Sequence, residues 1–170
     1  QVAEAIVGGV KAIGHAIAGI AKGFGSAMKD GLDYNARMEQ YTTSFTTMLG
    51  DQAKAQKLVN DLKLEAARTP FGMEDLAKGT QTLMGFGMSA EESQIRLKQL
   101  GDISQGDAQK FESLTLAFAQ MSSTGKLTGQ DLNQMINAGF NPLEEISRKT
   151  GKSIGELKEE MAKGAISADM

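Results

Sequence analysis

The chain has no cysteine, one histidine and two prolines in 170 residues. Without cysteine there are no disulfide staples and no thiolate metal sites, which suits assembly in a reducing compartment. A lone imidazole, His15, gives zinc coordination or a Ser-His-Asp relay almost nothing to build on. Its outward place on a helical pattern makes it a surface residue. Positive charge is also short. The 18 Lys and Arg against 21 Asp and Glu leave a net charge of -3, so the basic footprint that sequence-independent nucleic-acid binding needs is missing, and no specific nucleic-acid partner is expected. The glycines of "GGVKAIG" and "GFGMSAEE" lack the preceding strand and the Gly-Lys-Ser/Thr ending of a phosphate loop. The acid pairs Glu91/Glu92, Glu144/Glu145 and Glu159/Glu160 fall in first turns or on exposed faces, where helix dipoles and solubility account for them. No nucleophile, base and orienting group come together. No catalytic residue, metal ligand or cofactor is assigned, and no enzyme is expected.

What the chain does have is glycine and methionine, 20 and 10 of them. Gly8, Gly9, Gly14, Gly19, Gly23, Gly25 and Gly31 crowd the first stretch, yet it reads as mostly apolar. Counted in sevens, residues 3 to 48 place Ala3, Val10, Ile17, Phe24, Gly31, Met38 and Phe45 at one seam position. Ile6, Ile13, Ile20, Ala27, Tyr34, Tyr41 and Met48 take the other. None of these is charged, and three-then-four spacing sustained over six heptads is the pattern of a helix that supercoils with partners. The expected oligomer seam is Ile6, Val10, Ile13, Ile17, Ile20, Phe24, Tyr34, Met38, Tyr41, Phe45 and Met48. Glu4, Lys11, His15, Lys22 and Lys29 point outward, while Gly9, Gly14, Ala16, Ala21 and Gly23 flank the seam. Small uncharged flanks favour more than two strands, because charged flanks are what select pairs. A trimer is the favoured state and a hexamer the alternative. Each interior glycine costs about 1 kcal/mol relative to alanine, so this helix needs partners or an enclosing surface.

The competing reading makes residues 2–28 a membrane-inserting segment. A span needs about 20 mostly apolar residues, and Lys11, His15 and Lys22 interrupt this one at regular outward positions.

After Gly50 the sevenfold pattern gives way to short helices with their own starts and stops, so the chain divides into a long helix over residues 1–49 and a helical domain over 50–170. The first helix of the domain covers about Asp51 to Ala67, with Ala55, Leu58, Leu62 and Ala66 inward, and ends before Pro70. "TPFGMEDL" restarts the chain with Gly72 as N-cap and Phe71 stapled to Leu76. That helix carries Leu83 and Met84 and stops at "GFG". Ser89 with Glu92 forms a capping box for a helix ending at Gly101, after which Asp102 caps the following turn. Phe111, Leu114, Phe118 and Met121 make one stripe of a helix from about Asp107 to Ser122. Thr128 with Asp131, Asn141 with Pro142, and Ser153 with Glu156 open three more, closed by Gly139, Gly151 and Gly164. The expected fold is all-α, a long helix forming a multi-chain coiled coil followed by a compact bundle of about six short helices. Gln1 is no initiator, and "GAISADM" stops where Ser167 and Asp169 would begin another helix, so the sequence reads as an ordered piece of a longer chain.

Five stretches taken in order carry a resemblance: "FTTMLGD" at 45–51, "ARTPFGMEDLAKGTQTLMGFG" at 67–87, "LKQLGDIS" at 97–104, "FAQMSSTGKLTGQDLNQMINAGFNPLEEISRKTGKSIGEL" at 118–157 and "KGAIS" at 163–167. Their order and spacing resemble the N-terminal tape measure domain of phage tail tape measure proteins. The resemblance implies a long, largely helical structural protein of the virion, inside the tail tube or at its tip and assembled in the host cytoplasm. Such a protein sets tail length, nucleates the tube around itself and leaves at genome ejection. It implies tail tube and tail tip proteins as partners, with the host membrane as the alternative partner on ejection. Thr69, Pro70, Phe71, Gly101, Asp102, Gly125, Asp131, Gly139, Pro142 and Gly151 correspond to the family signature, and their spacing gives them turn and capping roles.

The seam can be tested directly. Ile17→Asp together with Ile20→Asp is expected to reduce oligomer formation in sedimentation velocity, while Lys22→Glu leaves it unchanged. A double variant that sediments like the parent would contradict the register.

Overall fold

The computed structural model describes the backbone of residues 2–170 and the side chains of residues 26–170. Among these residues the structure is all-α, with eight helices in chain order: α1 (Val2–Leu49), α2 (Gln52–Arg68), α3 (Met73–Gly85), α4 (Ala90–Ser104), α5 (Ala108–Thr124), α6 (Gly129–Asn137), α7 (Pro142–Thr150) and α8 (Ile154–Ala162). The helices after Gly50 number seven, one for each helix start that the capping signals mark, against the bundle of about six expected. The last three, α6, α7 and α8, are each nine residues long because left-handed glycines at 139, 151 and 164 stop them. By their contacts Gln1–Ser44 and Phe45–Met170 form two units, so the last turn of α1 is grouped with the helices that follow.

The 48 residues of α1 correspond to a helix of about 72 Å at about 1.5 Å per residue. The seam side chains Ile6, Val10, Ile13, Ile17, Ile20 and Phe24 lie outside the described residues.

In the second unit, α5 is the central helix. It packs on α3, α4 and α6, while α2 lies on α3 and α7 joins α6 to α8. Its buried face is Phe111, Leu114, Thr115, Ala117, Ala119 and Met121. Phe118, placed on the inward stripe by spacing alone, is only half-buried, and Ala117 and Ala119 lie deeper. On α2 the buried residues are Ala55, Leu58, Val59 and Leu62. Val59 joins the expected inner face, while Ala66 stays half-exposed.

Phe71 and Phe111 stack with ring centroids 4.5 Å apart and planes inclined by 29°. Two glycines clear space around the pair. A Cβ on Gly79 would stand 2.6 Å from Leu97 Cδ1 and 3.3 Å from Phe111 Cε1, and one on Gly101 would stand 3.2 Å from Phe71 Cε2. Gly101 is therefore not the end of α4. The helix continues to Ser104, and the stop is the left-handed pair Gln105 (φ 52°) and Gly106 (φ 84°). Asp102 is accordingly an exposed residue within α4 and caps nothing. The missing side chain at 101 is spent on close approach of an aromatic ring, which outweighs the helix-propensity cost of about 1 kcal/mol.

The helix starts follow their local chemistry. Asp51, Ser89, Asp107, Thr128 and Ser153 each accept the backbone N–H three residues on. Asn141 Oδ1 accepts from Leu143 N at 3.1 Å, with Pro142 as the first helical residue. Thr128/Asp131 and Ser153/Glu156 close into reciprocal boxes. At Gly72 the return half is made by Asp75, whose Oδ2 accepts from Gly72 N at 3.1 Å. The Ser89/Glu92 box is only half made. Ser89 caps the backbone, while the Glu92 carboxylate lies 3.8 Å from Arg96 Nη2. Residues 165–168 do not turn into helix. Leu127 N donates to Ile166 O at 2.9 Å and Ala168 N to Gly125 O at 3.1 Å, which seats Ile166 and Leu127, both almost fully buried, against each other's strand-like backbone.

Two outcomes follow from this packing. Phe111→Ala is expected to destabilise the unit by about 3–5 kcal/mol in denaturant unfolding, because it opens a cavity and removes the Phe71 stack. The second concerns acid. Hydrogen bonds from the Ser153 backbone and hydroxyl hold the Glu156 carboxyl below its ordinary value of 4.5. A carboxylate with a depressed folded pKa stabilises the fold above its unfolded pKa and loses that contribution as pH falls through the folded value. Glu156→Gln, which cannot titrate, should therefore flatten the fall in stability below about pH 4.5 relative to the parent, read as unfolding midpoint against pH.

Candidate assembly surfaces

Along the described part of α1 the expected seam positions differ in environment. Phe45 is fully buried and Met38 nearly so, Tyr41 is half-buried, and Tyr34 and Met48 are exposed. Phe45 is thus a core side chain as the chain stands alone. Sequence counting passed over two large apolar residues outside the seam, Met28 and Leu32, which are 60% and 66% exposed. They are four residues apart and share a stripe of the helix. The sign available in the sequence was this i, i+4 spacing of large apolar side chains beside, rather than in, the sevenfold positions.

The signature residues separate into two groups. Thr69, Pro70, Phe71, Gly101 and Asp102 come together around one hollow of about 490 Å³ between α2, α3 and α4, with Leu97 and Lys98 completing the wall. Thr69 Oγ1 donates to Glu65 O at 3.0 Å, and Pro70 Cγ approaches within 3.2 Å of where a Cβ on Gly106 would be. This group builds a packed corner, so Phe71 and Gly101 are packing residues where spacing gave them turn roles. The other five stand at separate helix ends. Gly125, Gly139 and Gly151 hold φ values of 77°, 88° and 76°, a region that costs other residues roughly 1–2 kcal/mol. Asp131 accepts from Thr128 N and Oγ1 at 3.3 and 2.7 Å, and Pro142 opens α7.

A second hollow, of about 470 Å³, is more apolar and lies where α4, α5, α6, α7 and the closing segment converge. Phe118, Met121, Met135, Phe140 and Ile146 form its floor, and Arg96, Glu145 and Lys149 stand on its rim. The Arg96 guanidinium sits 5.9 Å from the Phe118 ring centroid, a cation–π placement that keeps this ring at the surface edge. Met121 and Met135 are nearly fully buried and fill the core beneath the hollow. No single stretch of sequence announces this hollow, because its wall comes from five elements. Among the described residues no group of three or more His, Cys, Asp or Glu side chains is arranged to hold a metal ion. Among them, too, no helix is long and apolar enough to cross a membrane. The insertion reading of residues 2–28 falls almost wholly on side chains outside the described residues.

Comparison with known proteins gives the chain its relatives. The chain is 24% identical over 135 residues, 77% of its length, to the probable tape measure protein of Escherichia phage Mu, 20% of which is covered. It is 24% identical over 177 aligned residues, 98% of its length, to the tape measure protein of Lactococcus phage F4-1, 48% of which is covered. It therefore spans less than half the length of either relative. No solved structure matches it. The family model described as tape measure protein matches residues 29–170, which takes in the last part of α1 and every helix of the second unit, and the chain belongs to the tape measure protein family.

Proposed function

We propose that this chain is the part of a phage tail tape measure protein where a ruler helix meets a folded helical unit, and that its role is structural. The observation that carries the reading is the single unbroken helix Val2–Leu49 whose sequence keeps one apolar seam over six heptads. Helix rise turns residue number into length linearly, at about 1.5 Å per residue, and a seam repeated every seven residues lets several copies run side by side without losing register. Membership of the family supports the setting, a virion tail. Within it the chain sets tail length, nucleates the tail tube around itself and leaves at genome ejection. Its first partner is itself, as a trimer by preference over a hexamer, on account of the small flanks of the seam. Tail tube and tail tip proteins are its further partners, met inside the tube or at its tip after assembly in the host cytoplasm. The capped helices give a folded attachment unit along the ruler, and the apolar hollow suits a role in contact rather than in chemistry.

The test is a deletion that keeps the register. Removing two heptads, residues 10–23, from the full-length protein should shorten the phage tail by about 21 Å, at about 1.5 Å per residue, in electron micrographs of mature particles. Tails of unchanged mean length would rule α1 out as part of the ruler.

A further inference from the structure

The turn between α1 and α2 is two residues long. Gly50 is left-handed, with φ 66°, and Asp51 is extended, with φ -148° and ψ 114°, before α2 restarts at Gln52. Counting the sevens of α1 through this turn puts Gln52, Val59 and Ala66 at the position of Phe45, and Ala55 and Leu62 at the position of Met48. Ala55, Val59 and Leu62 are three of the four residues that α2 buries, and the fourth, Leu58, is their immediate flank. Composition changes at Gly50, as the sequence suggested, but the phase of the seam does not. The inward face of α2 is chosen by the helices it packs on, so nothing in α2 alone requires it to continue the seam of α1. The turn itself takes no seam position: Gly50 falls at the outward place of Lys22 and Lys29, and Asp51 at the flanking place of Gly9 and Gly23, a charged residue where those are small.

We propose that Gly50 and Asp51 form a conformational switch: in the assembled protein α1 and α2 join into one helix, Val2 to Arg68, and the face of α2 now packed in its own unit is covered by the same face of other copies of this chain. This rests on the seam proposed above. The turn is lightly held. Nothing lies within 4 Å of where a Cβ on Gly50 would stand, and the Asp51 carboxylate secures the start of α2 through one bond, from Lys54 N at 3.0 Å. The hydrogen bonds on either side are already helical in spacing, Gly50 N to Thr46 O at 2.8 Å and Ala55 N to Asp51 O at 3.1 Å. Joining the helices removes one N-terminus and one C-terminus, and with them the four N–H and four C=O groups that helix ends leave without intrahelical partners. Against this stands the exposure to water of Phe45, Ala55, Leu58, Val59 and Leu62, and of the α3 surface that α2 covers. The lone chain keeps the turn for that reason, and neighbouring copies release it by covering the same side chains.

Two substitutions push the switch in opposite directions. Gly50→Ala disfavours the left-handed turn and favours continuous helix, so it should strengthen association about tenfold or more. Gln52→Pro suits the turn, since proline is accepted as the first helical residue after an extended neighbour, but it cannot sit inside a continuous helix. It should leave the melting of the dilute chain unchanged and weaken association about tenfold or more. Because the chain has no cysteine, Thr47→Cys with Leu64→Cys provides two sites for spin labels at exposed, outward positions. One continuous helix sets their Cα atoms about 26 Å apart. Dipolar distance measurements on the 170-residue chain, above and below the concentration at which it associates, should show a population near that distance only with association. An associated chain with an unchanged label distance, and with Gln52→Pro associating like the parent, would overturn the switch and leave the seam standing. A parent chain that remains monomeric at every concentration would remove the seam and the switch together.

Discussion

The second unit turns on the stack of Phe71 against Phe111. The rings and Leu97 would have to shift if α3 and α4 carried side chains where they pass the stack. Gly79 and Gly101 are bare there, and a methyl group at either would press on Leu97, Phe111 or Phe71. Pro70 ends α2 and delivers Phe71 to the stack, and Gly106 lets the chain fold back beside Pro70. Aromatic rings contribute large apolar area with fixed geometry, so placing this one pair settles the approach of α3 and α4 to α5. The remainder of the core, Leu76, Leu83, Leu97, Leu100 and Leu114, fills the space that approach defines.

Around that core, local chemistry divides the chain into pieces. A nine-residue helix is marginal by itself, since helix nucleation is costly. The caps at Thr128, Asn141 and Ser153 and the left-handed glycines at 139, 151 and 164 make each short helix start and stop in one place. The contrast with α1 is physical. From Val2 to Leu49 no residue both caps and breaks, the glycines sit at positions where helix can continue, and the helix runs on for 48 residues. One chain therefore combines a long uninterrupted helix with a set of short, individually capped ones.

Much of this was legible in the residues. Capping serines, threonines, asparagines and aspartates were readable because a cap is satisfied by atoms within three residues of it. The stop glycines 125, 139, 151 and 164 were readable because a left-handed turn is also local. Gly101 misled for the same reason. A glycine that follows an apolar run looks like a stop, and only the ring of Phe71, thirty positions earlier in the chain, shows that it is a gap. Val59 and Ile166 escaped notice because their burial is decided by elements far away in sequence. The hollow floored by Phe118, Met121 and Met135 escaped for the same cause, as its wall is shared among five elements. The half-made box at Ser89 shows a smaller effect, where the Glu92 carboxylate faces Arg96 at 3.8 Å instead of returning to the cap.

The sequence by itself determined that the chain is helical, where most helices begin and end, and which face of α1 repeats in sevens. These depend on interactions between residues three, four or seven apart, which the order of residues contains directly. The tertiary structure alone decided that Gly79 and Gly101 are windows for aromatic rings and that residues 165–168 lie back along 125–127. It also decided that α2 turns inward the face that continues the seam of α1 in phase. Those facts depend on which distant surfaces meet, and close packing settles that for all the helices at once rather than for any one of them.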